Sequence, residues 1–158
     1  MAVTYESAGR VRQRAREYTK SPAIFFALKA LFLYLATTKK NPDLAFLSFD
    51  SASIDDAGGQ VLADAATTVY AVYGKKRAAA DTDSYLVLLD DATDDAGGAT
   101  DARVSIDFQS GEDEAFLLFP NGIDMATGVV AKAYTDYDGT TDSSAGDAPD
   151  GFVIVAAA

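Results

Sequence analysis

Carboxylates dominate the reactive side chains of this 158-residue chain: 24 Asp and Glu stand against 13 Lys and Arg, for a formal charge of −11. The chain contains no His, Cys or Trp. This excludes thiolate and imidazole metal sites, disulfides, a Cys nucleophile and a Ser–His dyad, and cysteine usage says nothing about redox compartment. Two arrangements of acids merit a chemical test. Asp136-Tyr137-Asp138-Gly139-Thr140-Thr141-Asp142 alternates carboxylates as a calcium loop does, but Gly139 comes too early and no Glu closes the ring. A solvated turn is the expectation, with no metal. Asp55/Asp56, Asp90/Asp91 and Asp94/Asp95 could be paired as glycosidase acids. Adjacent aspartates in Gly-rich loops point into water, however, and nothing nearby would raise one pKa. Neither a catalytic centre nor a cofactor is expected.

The basic residues are grouped. Residues 1–42 hold eight Lys/Arg against Glu6 and Glu17, a net of +6, whereas residues 43–158 net −17. Asn41-Pro42 is the natural joint, because the residue before proline is pushed out of helical geometry. The expected division is a basic, apolar helical arm over 1–42 and an acidic β domain over 43–158. Within the arm, residues 5–18 predict a helix with a Glu6–Arg10 pair at i,i+4. Ser21-Pro22 predicts the start of a second helix, which runs through Ala23–Ala36 and stops before Lys39-Lys40. At about 21 Å this apolar helix is short of a roughly 30 Å hydrocarbon core.

Arg10, Arg12, Arg14 and Arg16 would share one face of a strand, or split into Arg10/Arg14 and Arg12/Arg16 on a helix. Without aromatic interleaving they are weak grounds for nucleic-acid contact, and the acidic body disfavours nucleic acid and anionic membrane alike. Three readings of the arm compete. A secretory signal is opposed by Lys29 inside the apolar stretch and by the lack of a small-x-small cleavage site. A pilin-like stem would be short and polar at its middle. The third is a docking element, with the plain alternative that the arm packs on its own sheet.

After Pro42 the periodicity becomes extended. Strands are expected at 45–49, 67–73, 85–89, 103–108, 115–119, 128–134 and 152–155, separated by Gly/Asp turns. Val104, Ile106 and Phe108 alternate with polar residues, as in a half-buried strand. Tyr85–Leu89, Ala115–Phe119 and Phe152–Val155 are apolar on both faces, as central or partner-covered strands would be. The fold class is mainly β: an antiparallel sandwich or jelly roll with an N-terminal helical arm. Gln60–Ala66 is expected as one helical turn, Lys75-Lys76-Arg77 as a charged hairpin tip, and the two DDAGG copies (55–59, 94–98) as shared turn chemistry. The excess of Asp over Glu, with few lysines, raises the expectation of a saline setting.

Several features of the β half resemble small β-sandwich virion proteins of tailed phages and related viruses, of the capsid cement or decoration type. They are Val69–Tyr73, a strand ending at Asp90, the Gly111-Glu112 turn, Phe116–Phe119, Pro120–Ile123 and Thr127-Gly128. The resemblance covers about residues 67–155 and leaves the arm outside it. It implies a non-enzymatic virion component that docks on the major capsid protein or another virion protein as a homo-oligomer, with a trimer at a threefold point as the expectation. A head, tail or baseplate protein and a pilin-like surface filament are the alternatives, with a carbohydrate-binding face of Tyr70, Tyr73, Tyr85, Tyr134 and Tyr137 a further one. Partner contact is expected through Arg10, Arg12, Arg14 and Arg16 on acidic surface. Ile24, Phe25, Leu28, Leu31, Phe32 and Leu35 are expected in an apolar groove.

Overall fold

The computed structural model describes residues 3–39, 42–55, 59–93, 101–111, 113–136, 139, 141–144 and 146–158. Elements follow the order β1 (Tyr5–Glu6), α1 (Ala8–Tyr18), α2 (Pro22–Thr38), β2 (Leu44–Phe49), α3 (Ser51–Ile54) and β3 (Gln60–Ala63). Then come β4 (Thr67–Lys75), β5 (Ser84–Leu89), β6 (Ala102–Phe108), β7 (Glu114–Met125), β8 (Val129–Tyr134) and β9 (Asp150–Ala157). The chain is mainly β, with two antiparallel sheets and helices at its N-terminal side. Sheet A has the order β1-β2-β9-β4-β7 and sheet B the order β3-β8-β5-β6.

Each sheet turns one face to a shared core. Sheet A contributes Phe49, Val69, Val72, Val153 and Val155, and sheet B contributes Leu86, Leu88, Ile106, Phe108 and Val129. The alternate residues of sheet A point the other way, as period-two strands require, and meet the helices. There Phe46, Tyr70, Tyr73, Phe152 and Ile154 pack with Val11, Ala15, Leu28, Leu31 and Leu35. Tyr18, Phe46, Phe152 and Tyr73 form a continuous aromatic contact, with ring centroids 4.6–5.7 Å apart. Gly151 permits the close approach beneath it, since a Cβ there would run into the Tyr73 carbonyl.

Several local expectations are revised. Tyr5–Glu6 is a strand paired with Leu44 and Ala45, so helix α1 begins at Ala8. Glu6 therefore reaches Arg14 (3.4 Å), and not Arg10. Gln60–Ala63 is a strand of sheet B, and the helical turn lies earlier, at Ser51–Ile54, where the Asp50 side chain accepts from the Ser53 N–H. Pro120-Asn121-Gly122 does not end its strand. β7 bulges there, Val69 facing Ile123 and Ala71 facing Leu118, with Gly122 at φ 78°. Lys76 is no loop tip: its buried ammonium donates to the carbonyls of Thr82 and Gln109 and holds two connections together. Residues 56–58, 94–98 and Asn41 lie outside the described residues, so the repeated turns and the proposed joint go undescribed in part.

Candidate docking face

The site residues expected in the arm separate into two sets, sorted by helix period. In α2, Ile24, Leu28, Leu31 and Leu35 recur at i, i+4, i+7 and i+11 and all are buried against sheet A. These four are corrected: they belong to the chain's own core and are not offered to a partner. Burying four such side chains contributes about 6–12 kcal/mol, so lifting the arm off the sheet to expose them would cost most of a typical domain's stability. Phe25 and Phe32, on the flank of α2 that faces α1, are only half-buried. The crest beyond them carries Phe26, 74% exposed, and Leu33, 60% exposed. Sequence periodicity could have singled out this crest, since Phe26 and Leu33 are seven residues apart and opposite the buried stripe.

The arginines take the helical arrangement. Arg10 and Arg14 lie on one side of α1. Arg14 is occupied, its guanidinium paired with Glu6 and 4.8 Å from the Phe46 ring. Arg12 and Arg16 lie on the other side, toward α2, where the Arg16 guanidinium sits 5.4 Å from the Phe25 ring. A three-residue turn, Thr19–Ser21, brings the helices side by side, with Pro22 opening α2 and Thr19 Oγ1 accepting from the Ser21 N–H at 3.1 Å. Two open hollows result along the seam. One of about 330 Å³ is lined by Arg12, Arg16, Phe25, Phe26 and Lys29, and one of about 250 Å³ by Arg12, Lys29, Phe32 and Leu33. Among the described residues no carboxylate pairs with Arg12, Arg16 or Lys29. A cationic seam beside exposed aromatic and aliphatic side chains can accept an acidic protein surface that also presents apolar groups.

Among the acidic candidates, Asp90 and Asp142 are held by structural bonds, and Asp56, Asp94 and Asp95 lie outside the described residues. Asp90 Oδ1 accepts from the Thr127 N–H (2.8 Å) and hydroxyl (3.0 Å), and Oδ2 from Arg103 (3.1 Å). Burial would raise this carboxyl, but hydrogen bonds from Thr127, Ala126 and Arg103 outweigh it and hold the pKa down at about 2. A general acid needs the reverse. Asp142 Oδ1 lies 2.9 Å from the Lys132 ammonium, so a fixed cation already neutralises that end of the Asp136–Asp142 segment. Tyr137, Asp138 and Thr140 of the loop fall outside the described residues, and no group of three metal-ligating side chains occurs among those described. The tyrosines do not converge: Tyr70 and Tyr73 are buried under the helices, whereas Tyr85 and Tyr134 belong to sheet B. Among the described residues no helix is long and apolar enough to cross a membrane. No family model matches the sequence, and neither a curated protein nor a solved structure is found to be similar to it.

Proposed function

We propose that this protein is a non-enzymatic structural component of a virus particle, a capsid cement or decoration protein, bound through the outer face of its helical layer. The observation that carries the reading is the seam of Arg12, Arg16 and Lys29, with no carboxylate partner among the described residues, beside exposed Phe26 and Leu33 on a chain that is otherwise strongly acidic. Cations grouped on one helical face select an anionic partner and steer its approach, and the neighbouring apolar crest supplies the area that must leave water. The partner is a virion protein, the major capsid protein foremost. A pilin-like filament is less well supported, because the apolar stripe of α2 that would form a polymer core already covers sheet A. Co-sedimentation with intact particles tests the proposal. The triple variant R12E/R16E/K29E is expected to lose binding at least about tenfold, with wild-type binding weakening as salt rises. Undiminished occupancy of particles by that variant would overturn the assignment.

A further inference from the structure

Three strands are apolar on both faces, and their places in the sheets differ. β5 lies between β8 and β6, and β9 between β2 and β4, as such strands require. β7 is an edge: among the described residues it pairs only with β4. Its first half, Ala115-Phe116-Leu117-Leu118-Phe119, has no charged residue, and none of the five is fully buried. Phe116 and Leu118 lean on the helical layer, Ala115 and Phe119 lean on the core between the sheets, and Leu117 is 36% exposed.

The other edges are blunted. β1 has two residues, β3 has four, and β6 turns Arg103, Ser105 and Asp107 outward. Short or charged edges are the usual defences against unwanted pairing. β7 has its own, Pro120 and the bulge, but these lie beyond Phe119 and leave the apolar half unguarded.

We infer that Ala115–Phe119 is a self-pairing edge, joined antiparallel to the same segment of a second copy about a two-fold axis through Leu117. The segment is complementary to itself. With the axis perpendicular to the sheet, residues directly opposite share a face, as the pleat demands. Centring on Leu117 sets Leu117 against itself, Phe116 against Leu118, and the small Ala115 against the large Phe119. Glu114 then falls opposite Pro120, whose missing N–H ends the ladder, and the two Glu114 residues stand roughly 20 Å apart. Neighbouring registers are worse. Centring on Phe116 drives Glu114 against Leu118, and centring on Leu118 puts Pro120 inside the ladder. The strip itself adds no charge to the repulsion between two copies of net charge −11, and added salt, by screening that long-range repulsion, tightens the pair.

The full-length chain tests this by sedimentation velocity over a wide concentration range at low and high salt. A monomer–dimer equilibrium that strengthens with salt is expected. L117K places like charges opposite one another and is expected to weaken dimerisation at least about tenfold, with the circular dichroism spectrum unchanged. Because the chain has no cysteine, L117C supplies a second readout: air oxidation should yield a disulfide-linked dimer far faster than S105C on the β6 edge. A wild-type chain that stays monomeric, a trimer, or L117C cross-linking no faster than S105C would overturn the inference.

Discussion

The charges of the helical layer and those of the β body are used in opposite ways. In the β body carboxylates are acceptors for the backbone. Asp83 takes the Ser110 N–H (2.7 Å), Asp113 the Gln109 N–H (3.0 Å) and Asp150 the Ser51 N–H (2.7 Å). Asp147 takes two, from Asp81 and Thr82, plus the Ser144 hydroxyl. Each satisfies a donor that a loop would otherwise leave to water. In the helical layer Arg12, Arg16 and Lys29 make no such bond among the described residues. Asp83, Asp113, Asp147 and Asp150 are structural, whereas the cations of the seam pair with no carboxylate among the described residues.

The largest break in that contrast should come from Asp147. Replacing it with Ala leaves two backbone N–H groups and a hydroxyl without their acceptor and is expected to cost about 1–3 kcal/mol in urea unfolding. Asp147→Asn keeps one acceptor oxygen and should lose less. Acid gives a smaller effect. Backbone and hydroxyl donors hold Asp91 and Asp147 below the ordinary carboxylate range, and Asp90 sits at about 2. Since the folded pKa values are depressed, their stabilisation is complete above about pH 4 and is lost as pH falls below the ordinary carboxylate range, for Asp90 through about 2. Asp90 accounts for on the order of 1 kcal/mol of it, allowing for solvent screening. The unfolding midpoint should fall over that window in wild type and fall less in Asp90→Asn. The smallest effect is expected on the other side of the comparison: R16A and K29A should leave stability unchanged within about 0.5 kcal/mol, the Arg16–Phe25 contact being exposed. A larger loss would mean that the seam serves folding after all.

Much of the architecture was legible. Pro22 after Ser21 marked the start of α2, and the alternation of Val104, Ile106 and Phe108 marked β6 with one buried face. Strand positions from β4 onward follow the apolar runs closely. β3 was missed because Gln60–Ala63 is too short to show a period, and the continuation of β7 because Pro120 and Gly122 read as a turn when they build a bulge. Composition could not tell which side of the apolar arm faces inward. That depends on sheet A offering Phe46, Tyr70 and Phe152 as a surface, which is a matter of tertiary pairing. The preference for Asp over Glu has a local explanation: the shorter carboxylate reaches backbone donors within its own or a neighbouring turn. At these positions it does not call for a saline setting.

Sheet A places its latest strand near its middle: β9, residues 150–157, is what joins β2 to β4. During synthesis the helices and β2 emerge first, yet the surface they need is incomplete until more than a hundred residues later. Nascent chains halted before residue 150 should therefore display the greasy underside of α2 to chaperones, and folding should be slow and late, governed by the closure of one distant sequence gap.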